Sequence, residues 1–136
     1  MANTLKLEIV TPEARIYSED VDMVTLPGVE GEMGIFPMHI PLVTQIAHGE
    51  ILARKGGQDH FLAVGEGFAE ITGNRVAILT DMAIRADDID EARAEEARRQ
   101  AEARLTQKLG DEEQALAQAA LMHSLTQLNL KRRQRR

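Results

Sequence analysis

Two stretches of opposite backbone preference meet near Asp87, and no single kind of layer accommodates both. All four prolines, all four aromatic residues and nine of the ten glycines precede that point. The residues after it are mostly Ala, Leu, Glu, Gln and Arg, with Gly110 as their one glycine. Proline and glycine interrupt helices, whereas the later composition favours them. The expected fold is therefore mainly β plus α: a β domain over residues 1–86, then a helical segment over 87–136.

The first stretch reads as short strands. Leu5, Leu7 and Ile9 alternate with polar neighbours, the period of a half-buried strand, and Thr11-Pro12 ends the run. Val21 to Leu26, Ile35-Phe36, Leu42 to Ile46 and Ile51 to Arg54 come next. Gly56-Gly57 turns the chain into His60 to Val64. Gly67 to Ile71 and Val76 to Thr80 flank a second turn at Thr72-Gly73-Asn74. Short strands broken by turns about every 8–12 residues indicate a β-sandwich or barrel.

One segment breaks that rhythm. From Leu26 to Leu42 the chain reads LPGVEGEMGIFPMHIPL, with Gly28, Gly31 and Gly34 at every third position among Pro27, Pro37 and Pro41. Glycine supplies backbone conformations that side chains forbid, and each proline removes a donor. The segment is expected to be a shaped, exposed loop, neither helix nor ordinary strand, presenting Glu30, Glu32, Met33, Met38 and His39. Such a loop reads as a contact surface.

The second stretch predicts an antiparallel helical hairpin. Asp88 as N-cap with Glu91 three residues on makes a capping box. Helix one is expected to reach about Leu109, with Gly110 left-handed beyond it. Asp111 then caps helix two, with Gln114 in the reciprocal position. Ala94, Ala97, Ala101, Leu105 and Leu109 give helix one a narrow face, and its charges read as solvated. Helix two carries no Asp, Glu, Lys or Arg from Gln114 to Leu130. Leu121, Leu125 and Leu128 form its stripe, widened by Leu116, Ala119, Ala120 and Met122. That describes either a buried helix or one that exchanges packing partners at little desolvation cost. The end, Lys131, Arg132, Arg133, Arg135 and Arg136, is a solubilising tail or a contact for an acidic partner.

Composition narrows the function classes. The chain has no cysteine, so disulfides, thiolate metal sites and thiol nucleophiles are excluded. No apolar run approaches the roughly 20 residues of a membrane span. The start, MANTLKLEIV, lacks the charge and apolar run of a signal peptide, so a cytosolic location or attachment through a partner is expected. A net charge of -6 argues against general nucleic-acid binding. Gly28, Gly31 and Gly34 do not make G-x-G-x-x-G, and Gly65-Glu66-Gly67 is a bare two-glycine turn. His39, His48, His60 and His123 have no paired metal spacing, and Ser18 and Ser124 lie in no nucleophile motif. His39 reads as a hydrogen-bonded structural residue. No catalytic residue and no metal site is expected. The alternatives are an adaptor binding a partner helix or nucleic acid, and a small enzyme with His39 as base and Glu32 as acid.

The runs PGVEGEMGIFPMHIPL, AVGEGFAEI and VAILTDMAIRADDIDEARA together resemble the epsilon subunit of bacterial and chloroplast F-type ATP synthases. The resemblance spans essentially the whole chain, in the order β-sandwich then helical hairpin. It implies a non-catalytic central-stalk subunit that rotates with gamma and helps couple proton flow to ATP synthesis. Its partners would be gamma, the c-ring and, in an inhibited state, the alpha and beta subunits. The c-ring contact would fall on Glu30, Gly31, Glu32 and Met33, with Gly28, Gly34, Pro37 and His39 in the stalk-docking loop. The resemblance also implies a place on the cytoplasmic face of a bacterial inner membrane ahead of the thylakoid, with membrane contact only through the complex. The hairpin would regulate hydrolysis, folded on the sandwich when permissive and extended along gamma when inhibitory, with the basic end as inhibitory tail. Ile89, Asp90, Arg93 and Ala94 match half of a family ATP motif, while His123 and Gln127 stand where its arginines would be. No cofactor is expected beyond ATP bound weakly as a regulator. A ligand at 100 times its Kd contributes about 2.7 kcal/mol, short of the roughly 5.5 kcal/mol that inverts a two-state switch.

Overall fold

In the computed structural model, residues 3–134 are described. Ten strands come first: β1 (Leu5–Val10), β2 (Arg15–Val21), β3 (Met23–Gly28), β4 (Gly31–Ile35), β5 (Leu42–Ile46), β6 (Gly49–Lys55), β7 (Gln58–Val64), β8 (Gly67–Thr72), β9 (Arg75–Thr80) and β10 (Ala83–Arg85). A short 3-10 turn, Ala86–Asp88, leads to α1 (Glu91–Leu105) and α2 (Asp111–Gln134). The order along the sheet is β10-β7-β6-β3-β5-β8-β9-β1-β2, with β4 paired on β3. The pair β1–β9 is parallel and the others are antiparallel. The two ends of this path touch, with Arg85 of β10 4.9 Å from the Tyr17 ring of β2. The result is a β-sandwich closed nearly into a barrel.

Alternation builds the core. Leu5, Leu7 and Ile9 of β1 point inward with Val76 and Ile78 of β9 and Ala69 and Ile71 of β8, all essentially without solvent contact. Tyr17, the single tyrosine, is buried with them. Burial first, and the Glu19 carboxylate second, push its phenol up to about 12. The Gly56-Gly57 turn is left-handed at both residues, φ +59° and +80°, as a two-residue hairpin connection requires.

Three expectations need correction here. The segment from Leu26 to Leu42 is not one loop: Leu26 and Ile35 are buried, and their pull into the core makes β3 and β4 a hairpin. The N-cap of α1 is Asp90, whose Oδ1 accepts from Arg93 N at 3.2 Å, while Asp88 lies in the 3-10 turn. The chain first has to bury Ile89, so winding begins two residues later. Finally, α1 stops at Leu105 with Thr106 as C-cap, and the left-handed glycines among the described residues are Gly31, Gly56 and Gly57. Gly110 is not one of them. Its carbonyl accepts from Gln114 N at 2.9 Å, so α2 winds from Gly110 and Asp111 sits in its first turn.

The helices are antiparallel. Arg104 reaches Glu113 at one end, and Arg132 reaches Glu91 and Glu95 at the other. Their seam is made of small residues. Ala94 and Ala101 on α1, and Ala117 and Ser124 on α2, are buried at seven-residue spacing, with Leu128 beyond. Ser124 satisfies its hydroxyl on Ala120 O at 2.9 Å. Ala97 is exposed, and Leu121 and Leu125 are half-buried, so the true stripe is narrower than the sequence pattern.

Candidate docking surfaces and the hairpin junction

The tip of the β3–β4 hairpin is set by its register. Leu26 faces Met33, Pro27 faces Glu32 and Gly28 faces Gly31, leaving Val29-Glu30 as the turn. A methyl on Gly28 would stand 2.6 Å from Gly31 O, and Gly31 has φ +132°, so both positions need glycine. Glu30, Gly31 and Glu32 are exposed, whereas Met33 is half-buried against the core. The tip is an acidic turn carried on a hydrogen-bonded ladder.

The structure separates residues that the sequence grouped. Gly28 pairs with Ile46, and Ile46 with Gly67, which puts the tip at that end of the sheet. The remainder of the segment crosses the other end, where Met38 N donates to Gly73 O at 2.7 Å. Pro37 and His39 are half-buried there, and Gly34 lies exposed between the two ends. His39 Nδ1 is 2.6 Å from Ile40 O, a structural contact. Met38 holds φ 66°, unusual for a residue with a side chain, and is 72% exposed.

A third surface escaped the sequence reading. The outer faces of β5, β8 and β9 carry Val43, Phe68 and Leu79, each more than half exposed. Phe68 lies opposite Leu79, and Leu79 opposite Val10, so these three form a cross-strand row, while Val43 shares the face two residues along β5, opposite Glu70. An apolar row on an outer sheet face is the kind of patch that marks an interaction site. Its signal was present: β8 and β9 place apolar residues on both phases of the alternation.

The hairpin rests on the sandwich through a small cluster separate from the main core. Leu130 packs with Ala63, Ala86 and Ile89, flanked by Phe61 and Ile84. The chain is helical through Gln134, and the cations Lys131, Arg132 and Arg133 are each engaged. Lys131 Nζ donates to Ala86 O at 3.2 Å, and Arg132 bridges Glu91 and Glu95 at 3.0 and 2.8 Å. Arg133 pairs with Glu50 and lies 5.3 Å from the Phe61 ring centre. The Arg98 hydrogen bond, with Arg132 adding to it, holds the Glu95 carboxyl below the usual carboxylate range. Residues Lys131 to Arg133 are thus no free solubilising tail. Arg135 and Arg136 lie outside the described residues.

Asp90, Arg93 and Ala94 do come together, in a cleft of about 320 Å³ that Asp88, Ser124 and Gln127 also line. Ile89 packs beneath, in the Leu130 cluster. His123 is elsewhere, with Nε2 3.3 Å from Asp81 Oδ2. The cleft therefore offers one arginine against two carboxylates.

The domain models of ATP synthase delta/epsilon chains match in the same order as these layers. Residues 4–86 match the beta-sandwich domain, and residues 87–131 match the long alpha-helix domain. The chain belongs to the ATP synthase epsilon-chain family. An ATP synthase epsilon chain of Nitratidesulfovibrio vulgaris is 43% identical over 96% of this chain and 98% of its own length. One of Herpetosiphon aurantiacus is 46% identical over 93% of each. Among solved structures, a chain of the Euglena gracilis mitochondrial ATP synthase, described as OSCP/F1/c-ring, aligns with TM-score 0.73 and 25% identity. That alignment covers 90% of this chain and 78% of the other. A chain of the Tetrahymena thermophila central stalk and c-ring shares the fold at TM-score 0.62 and 12% identity, covering 93% and 96%.

Proposed function

We propose that this epsilon-family chain is a non-catalytic rotor subunit whose sandwich docks on the central stalk and whose helical hairpin regulates ATP hydrolysis. The observation that carries the reading is the pairing of an apolar outer face with a hairpin held by its own small cluster. Docking has to transmit torque, and the row of Phe68 and Leu79, with Val43 on the same face, supplies an apolar contact on a stiff sheet. We assign that row to the gamma shaft, and the exposed Glu30, Gly31 and Glu32 tip, with Met33 at its base, to the polar rim of the c-ring. What supports a place in the complex is that a similar chain of Euglena gracilis comes from a structure containing F1 and c-ring. Residues 1–86 then serve attachment and residues 87–136 regulation, on the cytoplasmic face of a bacterial inner membrane.

The hairpin's regulatory role rests on its mode of attachment. Exposed ion pairs are worth about 0–1 kcal/mol each, so Arg132 and Arg133 orient α2 more than they hold it. Released, the uncharged stretch from Gln114 to Leu130 and the cationic end can re-dock along gamma, against acidic surface of the alpha and beta subunits. Inhibition belongs to that extended form.

Docking is tested by placing carboxylates on the row. The double variant Phe68→Glu, Leu79→Glu changes two outward side chains and no core contact. It is expected to keep the native circular-dichroism spectrum and to lose at least about tenfold in affinity for the gamma-containing complex, since central apolar anchors cost about 2 kcal/mol or more when removed. Unchanged incorporation would rule this face out.

ATP binding is expected to be weak. With Arg93 facing Asp88 and Asp90 in one cleft, like charge opposes a triphosphate, and the Kd should be millimolar. Titration calorimetry on the isolated chain decides it: sub-micromolar binding would refute the charge argument.

A further inference from the structure

The cationic end of α2 lies in a cradle of carboxylates supplied by the rest of the chain. Arg133 pairs with Glu50 of β6, and Lys131 Nζ donates to Ala86 O at 3.2 Å. Arg132 reaches α1 instead, at 3.0 Å from Glu91 and 2.8 Å from Glu95. Gln134 Nε2 donates to Asp87 Oδ1 at 2.7 Å. Four carboxylates from β6, the 3-10 turn and α1 thus converge on one helix end. Solubility does not require this, since an exposed cation is already hydrated and each exposed pair stabilises little.

The partners of the three cations sit on two different bodies. Glu50 and Ala86 belong to the sandwich and its exit turn, whereas Glu91 and Glu95 belong to α1. The contacts that hold α2 to each body also differ. Leu130 anchors it to Ala63, Ala86 and Ile89, while Ala117 and Ser124 meet Ala94 and Ala101 of α1 in a separate seam.

We propose that the cradle is an internal stand-in for a carboxylate-rich partner, and that it uncovers the cations of α2 in two stages. The proposal rests on the released hairpin of the functional reading above. Lifting the hairpin off the sandwich frees Lys131 and Arg133. Arg132 stays covered until α2 also parts from α1. A guanidinium whose N–H groups are committed to Glu91 and Glu95 has fewer to offer an outside carboxylate, so cradle and partner compete for the same donors. An acidic segment therefore binds the closed chain weakly, the lifted hairpin better and the parted helices best.

The test is binding of a fluorescent oligoglutamate to the full chain, read by anisotropy at one fixed ionic strength because screening sets such affinities. Arg135 and Arg136 are present in every variant and cancel from the comparison. Glu50→Gln is expected to tighten binding about two- to fivefold, the range of one exposed ion pair. Leu130→Ala, which removes the anchor without adding charge, should tighten it more. In that background Glu50→Gln should add nothing, its cation being free already, while Glu91→Gln with Glu95→Gln should still add about two- to fivefold. Glu96→Gln with Glu112→Gln takes the same two charges from the hairpin, and Glu96 pairs with Arg99 rather than the basic end. That control should stay within about twofold. If it matches Glu91→Gln with Glu95→Gln, bulk charge is responsible and the cradle falls alone. Equal tightening by Glu50→Gln with and without Leu130, or loss of the Glu91 and Glu95 effect once Leu130 is gone, overturns the two stages. If Arg132→Ala with Arg133→Ala leaves binding by the Leu130→Ala chain unchanged, acidic surface does not recognise these cations, and the proposed re-docking of the basic end falls too.

Discussion

Replacing Leu130 with aspartate detaches α2 from the sandwich and lowers ATP hydrolysis by the assembled complex. Leu130 is 1% exposed at the centre of the cluster with Ala63, Ala86 and Ile89. Truncating a buried leucine costs about 2–5 kcal/mol, and a carboxylate in its place adds desolvation. At 1.4 kcal/mol per tenfold, the closed-to-open ratio should fall at least about thirtyfold. The main core has no residue from either helix, so the sandwich is expected to stay folded. Amide exchange on the isolated chain checks this: α2 should lose protection while β1, β8 and β9 keep theirs. A purely structural role for the hairpin predicts unchanged hydrolysis instead.

Gly67→Ala is expected to cost the sandwich about 3 kcal/mol, the upper range for a forced fit in a packed core. Gly67 sits between Ile46 of β5 and Thr80 of β9, where β8 is paired on both sides. A methyl there would lie 2.0 Å from Leu79 O and 2.9 Å from Thr80 Cα, all backbone. Side chains can rotate away from an intruder, but a hydrogen-bonded strand has to be displaced. Gly73→Ala is the control. Its methyl would have no atom within 4 Å, so the change should stay within about 1 kcal/mol. Urea unfolding midpoints of the two variants check the contrast, and equal midpoints would contradict the geometric argument.

These two glycines show where sequence reading succeeds and where it stops. Strand alternation in Leu5-Leu7-Ile9 and the Gly56-Gly57 turn are local signals, and the strands they predict are present. Gly65-Glu66-Gly67 carries no local signal at all, because its constraint comes from Leu79, Asp81 and His123. The three aspartates at 87, 88 and 90 offer equivalent caps to a local rule. The burial of Ile89 against Leu130, 41 positions away by numbering, selects Asp90. The basic end looked free because its partners, Glu50, Glu91 and Glu95, are remote in sequence. Likewise, glycine spacing concealed a hairpin from Leu26 to Ile35, since the burial of those two residues is a tertiary fact. The outer apolar row was readable in principle, as both phases of β8 and β9 are apolar.

The central claim is that a sandwich for docking carries a removable regulator. Ending the chain at Asp88 keeps all ten strands and every residue of the main core, and removes both helices. The decisive measurement is ATP hydrolysis by complexes reconstituted with the full chain or with this truncation. The account predicts equal incorporation of both and faster hydrolysis with the truncation, opposite in sign to Leu130→Asp. Equal hydrolysis rates, under conditions where Leu130→Asp opens the hairpin, would contradict it.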